Sequence, residues 1–179
     1  MSWLWWLIPV LAVGVLLGMW VAFTISRIDR LHARVDAAGA ALDAQLVRRA
    51  AALQHAAQSS GGGLDAGLRG ECDQVAERAL NTTAALLDRG SVENGVGRAV
   101  AALAEHSDRL RPEVVAELRE AATRVQVARR FYNDAVRDTR AVRGRRMPRL
   151  LHLAGHRELP GFFDIDDTVV TADVKRHDQ

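Results

Sequence analysis

The residue types best suited to chemistry in this sequence are two closely spaced aspartates near its carboxyl-terminal end. They lie in the stretch FFDIDDTVV at residues 162–170, where an apolar run leads into Asp164-x-Asp166. One carboxylate of such a pair can attack a phosphoryl group while the other transfers a proton. That chemistry also requires a Mg²⁺ ion, further acids and a lysine, which other strands of a parallel sheet must supply.

The same stretch resembles the first motif of the haloacid dehalogenase-like phosphatases. Its surroundings do not fit such a domain, because residues 171–179 are too few for even one strand–helix–strand crossover, whose connection alone takes about a dozen residues. No runs of β-branched residues with period two precede the motif. The context therefore disfavours a phosphatase, and we expect residues 159–179 to form a polar, flexible tail.

Histidines offer a second candidate site, because His152 and His156 are four residues apart and can share one helix face, as two metal ligands would. The sequence provides neither a glutamate base between them nor an evident third ligand, which favours a solvated surface pair. No serine or cysteine lies in a nucleophile context, and SSGGGL at residues 59–64 lacks the lysine of a phosphate-binding loop. We therefore predict no catalytic residue, no metal and no cofactor, and hence no enzyme.

The opening of the chain predicts a membrane anchor. From Trp3 to Ile25 there is no charged residue, and these 23 residues would form a helix of about 34 Å, enough to cross a hydrocarbon core of about 30 Å. A cleaved signal peptide fits less well, because the start lacks Lys and Arg, the apolar core is too long and FTISRIDR at residues 23–30 offers no small-residue cleavage pattern. We predict that residues 1–26 are a transmembrane helix with interfacial residues Trp3, Trp5, Trp6 and Trp20, and with Arg27 and Arg30 just beyond it.

The charges that flank the span predict its orientation. Arg27, Arg30 and Arg34 follow the span, whereas no Lys or Arg precedes it. Positive flanks stay in the cytoplasm, so we place the amino terminus outside the cell membrane and everything after Arg27 in the cytoplasm. Cys72, the single cysteine, agrees with this placement, because a lone thiol cannot form an internal disulfide and suits a reducing compartment.

The remaining residues predict a helical domain. The composition is 49% hydrophobic but only 5% aromatic, which favours helices over a sheet. Apolar residues recur with helical period over residues 28–58, 64–88, 96–106 and 112–143, and glycine-rich breaks separate the first three stretches. We expect an all-α fold in which residues 27–158 form an antiparallel four-helix bundle with coiled-coil-like packing. A three-helix arrangement, with the middle pair fused through Gly90–Gly97, stays open.

A family resemblance supports this architecture. The sequence around ARRFYNDAV, at residues 128–136, is similar to the carboxyl-terminal half of LemA family proteins. A divergent member is indicated, because Thr139-Arg140 stands in place of a second Tyr-Asn and Met147 in place of a phenylalanine. The resemblance implies a membrane-anchored helical bundle with a short outside amino terminus and no established activity. The motif residues that it singles out are Arg129, Tyr132, Asn133, Val136 and Pro148.

A basic stretch near the end of the last helix allows three interpretations. Between Arg124 and Arg149 there are nine arginines against Asp134 and Asp138. One interpretation is a solvated face with cations at a helix carboxyl end, and another is nucleic-acid binding, which no recognisable module or aromatic platform supports. The third is contact with anionic lipid headgroups, since a fourth antiparallel helix returns toward the bilayer. The lipid contacts would then be Arg143, Arg145, Arg146 and Arg149.

Together these features favour a bacterial-type, single-pass membrane protein whose helical bundle acts as an interaction scaffold at the inner membrane surface, without catalysis. Its partners would be the membrane itself and a protein that the sequence does not identify. The alternatives are a phosphatase built on Asp164-x-Asp166 and a basic nucleic-acid-binding module, and the missing context disfavours both.

Overall fold

The chain is built from α-helices, as a computed structural model shows for residues 4–60, 63–144 and 158–166. The four helices are α1 (Leu4–Ser59), α2 (Ala66–Leu80), α3 (Gly90–Ala104) and α4 (Pro112–Arg143). Two short 3-10 helices, Leu86–Arg89 and Ser107–Arg109, precede α3 and α4. These described ranges contain no strand, so the predicted all-α fold is confirmed.

Helix α1 is 56 residues long and runs without interruption from Leu4 to Ser59. Between Trp6 and Phe23 every residue except the half-buried Val21 is exposed, although none of them is charged. By length and composition this helix could cross a membrane, and it is the one helix among the described residues that could. A helix that exposes apolar side chains on every side requires surroundings other than water.

The chain divides into two compact units, and α1 and α4 each contribute to both. The first unit consists of Met1–Ala37 and Asp134–Pro160. The second consists of Ala38–Asn133 and Gly161–Gln179. The second unit therefore contains α2, α3, the carboxyl-terminal part of α1 and the amino-terminal part of α4.

The first unit holds an antiparallel pair of helix segments. Thr139 Oγ1 of α4 donates to the Leu31 carbonyl of α1 at 3.5 Å, and Arg143, one turn later on α4, lies 3.4 Å from His32 Nε2. An exposed ion pair at 3.2 Å joins Arg34 of α1 to Asp138 of α4. The buried side chains between the two segments are Ile28, His32 and Val35 of α1 and Ala135, Val136 and Thr139 of α4.

The second unit encloses the main core. All four helices contribute to it, and many of the buried residues are alanines, whose small size lets helices approach closely. α1 and α4 are antiparallel here as well, because His55 bonds to Glu117 at 2.9 Å while Gly39 lies beside Tyr132. The core includes Leu42, Leu46 and Leu53 of α1, Cys72 and Ala76 of α2, Val96 and Leu103 of α3, and Leu118 and Val125 of α4.

Helix α2 is shorter than predicted. It ends at Leu80, with Asn81 as its carboxyl-terminal cap, whereas the periodicity predicted a helix over residues 64–88. Residues 81–85 are not helical, and Leu86 and Leu87 belong to the 3-10 helix before α3. The sequence NTT at residues 81–83 has low helix propensity, which explains the break. Because of the break, α2 and α3 are separate helices and the fused three-helix alternative is not observed.

Helix α3 begins earlier than predicted. The stretch RGSVENGVG predicted a break before a helix over residues 96–106, but α3 already begins at Gly90 and ends at Ala104. Its glycines lie where neighbours come into contact. A Cβ added to Gly95 would lie 3.7 Å from Val75 Cγ1. One added to Gly90 would lie 3.5 Å from the main-chain oxygen of residue 164, and one added to Gly97 would lie 3.8 Å from that of residue 166. These are ordinary contact distances, so the space at each glycine would accept an alanine, and α3 forms despite the roughly 1 kcal/mol that each glycine costs a helix.

The carboxyl-terminal region differs from the prediction at residues 161–166. The sequence predicted a polar, flexible tail over residues 159–179, but Phe163 is only 1% exposed and Ile165 is also buried. An extended segment buries every second side chain, and an alternation of only two buried residues is too short to be recognised in a polar sequence. Residues 167–179 lie outside the described ranges.

Candidate functional site

The acidic pair singled out from the sequence lies on the extended segment 161–166. Phe163 and Ile165 are buried, whereas the side chain of Asp164 is 97% exposed and lies 3.6 Å from Arg129 Nη1. Among the described residues no strand lies beside this segment, and no group of acids, histidines or cysteines is arranged to hold a metal ion. In that part of the chain Asp164 therefore lacks the parallel sheet that the phosphatase interpretation requires.

Asn133 of α4 holds the main chain of this segment. Its Oδ1 accepts the Phe163 N–H at 2.9 Å, and its Nδ2 donates to the Phe163 carbonyl at 3.0 Å. One amide side chain thereby satisfies both main-chain groups of one residue, as a neighbouring strand does in a hydrogen-bonded pair. Since a buried main-chain group without a partner costs about 1–3 kcal/mol, this pairing is what allows Phe163 to be buried.

Three further side chains bind the same main chain. The bonds run from Tyr132 Oη to the Gly161 carbonyl at 3.0 Å, from Arg129 Nη1 to the Ile165 carbonyl at 3.1 Å, and from the Asp166 N–H to Asn94 Oδ1 at 2.8 Å. We refer to Asn94, Arg129, Tyr132 and Asn133 as the clamp, and to the space in which they hold the segment as the clamp groove. Main-chain atoms of four residues in six are bound there by side chains.

Helical spacing explains how the clamp forms. Arg129, Tyr132 and Asn133 lie at positions i, i+3 and i+4 of α4 and share one face of that helix. Asn94 comes from α3, whose Gly90 and Gly97 face the main-chain oxygens of residues 164 and 166. The sequence singled out the three α4 residues as a family motif without indicating what they bind. It missed Asn94, because the stretch around it was predicted to be a break.

Helix α3 also carries a buried ionic network. Glu93, which precedes Asn94, is 1% exposed and accepts from Arg49 Nη2 at 2.8 Å and from Arg89 Nη2 at 3.1 Å. Arg89 also pairs with Asp43. Two carboxylates thus balance two guanidinium groups, and the network joins α3 to α1. Breaking such a network leaves an uncompensated buried charge, so it fixes the position of α3 and of the Asn94 that follows.

The network has a structural character rather than a catalytic one. Arg49 Nη2 also donates to the Glu93 carbonyl at 3.1 Å, and Arg89 Nη2 donates to the Ala79 carbonyl at 3.3 Å. Arginine does not give up its proton in proteins, and both oxygens of the carboxylate are occupied, so neither partner is ready to act as a base. The sequence signal was limited to the i, i+4 spacing of Arg89 and Glu93.

A surface groove between α1 and α4 of the second unit exposes apolar side chains. Its volume is about 480 Å³. Phe131 is 65% exposed, Val127 one turn earlier is also exposed, and Gln45 Oε1 is buried without a hydrogen-bond partner. We refer to it as the α1–α4 groove. It is lined by Ala38, Ala41, Gln45, Thr123, Arg124, Val127, Ala128 and Phe131.

The predicted membrane-interface residues lie along α1. Trp6 and Trp20 are exposed, and Arg27 and Arg30 are exposed on the same helix after them. Trp5 is also part of α1, and Trp3 lies outside the described residues.

The predicted lipid contacts are described only at Arg143, which is bound within the first unit. Its Nη1 donates to the Glu158 carbonyl at 3.0 Å and lies 3.4 Å from His32 Nε2. Val136, a motif residue, is buried in the same unit. The remaining predicted residues of this region lie outside the described ranges: Arg145, Arg146, Pro148, Arg149, His152 and His156.

The single cysteine is a core residue. Cys72 is fully buried, and burial, with a smaller effect of the nearby Glu71 charge, raises the pKa of its thiol to about 11. Because the thiolate is the nucleophilic form, a thiol with this pKa is inert at neutral pH.

Comparison with models of protein families gave no match, and neither did comparison with curated proteins or with solved structures.

Proposed function

We propose that this protein is a single-pass membrane protein whose helical domain lies in the cytoplasm and serves as an interaction scaffold. The observation that carries the proposal is the continuity of α1, which joins an exposed apolar stretch to the core of the second unit without a break. Leu42, Leu46 and Leu53 pack in that core, so the domain and its anchor share one helix. A partner bound to the domain is thereby concentrated at the membrane.

The exposure of α1 favours a membrane anchor over a soluble core helix or a signal sequence. A core helix of a globular domain would be buried, whereas the residues from Trp6 to Phe23 are exposed on every side. A signal sequence is removed at a small-residue cleavage site, but residues 23–30 at the end of the apolar stretch offer none, and α1 stays helical there. Hydrocarbon around this helix removes its apolar surface from water, a gain of about 25 cal/mol per Å².

Flanking charge supports an outside amino terminus. Arg27 and Arg30 are exposed immediately after the apolar stretch, where the positive-inside rule assigns the cytoplasm. The resemblance to LemA family proteins implies the same orientation and no established activity.

The α1–α4 groove supports a helical protein partner. Val127 and Phe131 are exposed one turn apart on α4 and give the groove an apolar surface, of the kind on which an amphipathic helix lays its apolar face. Arg124, which pairs with Glu120 on the same helix, adds a cation to the lining. The partner chemistry that fits is an amphipathic helix whose apolar face covers Val127 and Phe131.

Site-specific photocrosslinking in intact cells tests this function. A photoreactive residue in place of Val127 or Phe131 should give a discrete adduct with a partner protein. The same residue in place of Arg119, which is exposed on α4 outside the groove, should not give that adduct.

A substitution that fills the groove provides the matched control. Ala41→Arg, at an exposed position of the lining, should remove the adduct without unfolding the domain. Equal adducts at the three crosslinker positions, or an adduct that survives Ala41→Arg, would contradict the groove as the binding surface.

A further inference from the structure

We propose that the clamp groove is a peptide-recognition site for extended segments of the type Phe-acid-Ile, and that a second copy of this chain supplies such a segment in trans. In the structure the chain's own residues 161–166 occupy the groove. The exchange of these segments between copies goes beyond the scaffold function. It rests on that proposed function, because the membrane anchor is what holds the copies on one membrane.

The contacts are those by which proteins bind a separate peptide. Four side chains bind main-chain atoms of the segment, and Asn133 does so at both groups of Phe163. Main-chain bonds of this kind give affinity for any extended peptide, while pockets for alternate side chains select its sequence. The bonds do not depend on which copy the segment belongs to.

The side-chain pattern defines the preferred sequence. Phe163 and Ile165 are buried two residues apart, whereas Phe162 before them and the Asp164 side chain between them are exposed. Arg129 lies 3.6 Å from the Asp164 carboxylate, which favours an acid at the exposed central position. The groove therefore selects an aromatic residue, then an acid, then an aliphatic residue, the order found in Phe163-Asp164-Ile165.

Two glycines of α3, Gly90 and Gly97, lie next to the main chain of the segment. A Cβ added to Gly90 would lie 3.5 Å from the Asp164 carbonyl oxygen, and one added to Gly97 would lie 3.8 Å from that of Asp166. These are ordinary van der Waals distances for a Cβ, so the peptide main chain passes close enough to α3 for an alanine, but not a larger side chain pointing the same way, to fit beneath it.

A second copy is the occupant that the molecule itself specifies. Each copy carries both the groove and the segment that fits it, so exchange replaces every contact by its equivalent, as in domain swapping. The 14 residues 144–157 separate α4 from the described residues 158–166, and an extended chain of that length spans up to about 46 Å. Only the entropy of joining two copies opposes the exchange, and copies confined to one membrane have already lost part of it.

Crosslinking between two tagged forms of the full-length chain tests the exchange. One form carries a photoreactive residue in place of Phe162, which is exposed and outside the pockets, and the other carries a different tag. After co-expression and irradiation in membranes, we expect adducts that join the two tags and map to α3 or to residues 129–133 of the second form. Asn133→Asp in the second form should lower their yield about fivefold or more, and Asn81→Asp should not.

A peptide competitor makes the test independent of the folding of any variant. A synthetic peptide of residues 158–166, added to the detergent-solubilised full chain, should reduce the adducts between copies, whereas a scrambled peptide should not. Adducts confined to a single copy would overturn the exchange and leave the membrane scaffold intact. Equal effects of the two peptides would overturn recognition by the groove.

Discussion

Asn133 binds both main-chain groups of Phe163, at 2.9 Å and 3.0 Å, so that a residue of α4 and one 30 positions later are joined as residues of adjacent strands are. A helix thereby presents a strand-like edge at one residue. Tyr132, the residue before Asn133, binds the same segment, because its hydroxyl donates to the Gly161 carbonyl. Both side chains act as binding groups for a peptide main chain.

Replacing Asn133 with aspartate should loosen residues 161–166. The carboxylate keeps the shape and the acceptor but loses the donor, and it places an oxygen against the Phe163 carbonyl oxygen. Loss of one buried hydrogen bond costs about 1–3 kcal/mol, so amide hydrogen exchange at Phe163 should accelerate by about fivefold to a hundredfold. Asn81→Asp, at an exposed asparagine that caps α2, is the control. Unchanged exchange at Phe163 in the Asn133 variant would show that the amide does not hold the segment.

Truncation of two adjacent aromatic residues of α4 should have very different effects on stability. Tyr132 is buried, so Tyr132→Ala should lower the free energy of unfolding by about 3 kcal/mol. Phe131 is 65% exposed, so Phe131→Ala should change it by less than about 0.5 kcal/mol. Urea unfolding of the full-length protein in detergent, followed by circular dichroism, measures both. A larger loss for Phe131→Ala would exclude the α1–α4 groove as an open surface.

The buried network predicts a large effect of a single charge. Glu93→Gln leaves Arg49 and Arg89 buried without their shared counter-charge, and we expect a loss of about 3–5 kcal/mol in the free energy of unfolding. The exposed pair of Glu120 and Arg124, at 2.5 Å, is the control, because Glu120→Gln should cost less than about 0.5 kcal/mol. Thermal unfolding compares the two variants, and equal shifts would mean that the network does not stabilise the fold.

Cys72 predicts a pH dependence. Its pKa is about 11 in the folded protein against 9.0 for an exposed thiol, so below about pH 9 both states hold the proton and it does not affect stability. Above pH 9 the unfolded thiol ionises first, so stability falls as the pH rises toward 11. At about pH 8 a thiol reagent should label the folded protein much more slowly than the urea-unfolded protein. Rapid labelling of the folded protein would contradict the burial of this thiol.

Local signals account for what the sequence predicted well. The first helix was expected to end near residue 58 and ends at Ser59, and the last was expected over residues 112–143 and spans Pro112–Arg143. The signals were a long apolar period, a proline in the first turn of a helix and a glycine after its last turn. Each of these depends only on residues close together in the chain, so the sequence shows it directly.

Tertiary contacts account for the features that the sequence did not predict. The glycines at positions 90, 95 and 97 predicted a break, but the neighbours that pack against them keep α3 helical. Glu93 and Asn94 lie in the same stretch, so neither the role of Glu93 in the ionic network nor that of Asn94 in the clamp was predicted. The burial of Phe163 likewise depends on Asn133, 30 residues away, which no local pattern reveals.

The membrane anchor is the central claim, and cysteine labelling in intact cells tests it most directly. Single cysteines replace Ser2, before the apolar stretch, and Glu113, which is exposed at the start of α4, while the buried Cys72 serves as an internal unreactive thiol. An impermeant thiol reagent should label the Ser2→Cys form in intact cells and the Glu113→Cys form only after permeabilisation, with both forms resisting extraction by alkaline carbonate. Labelling of Glu113→Cys in intact cells, or release of the protein by carbonate, would contradict the anchored, inward-facing domain.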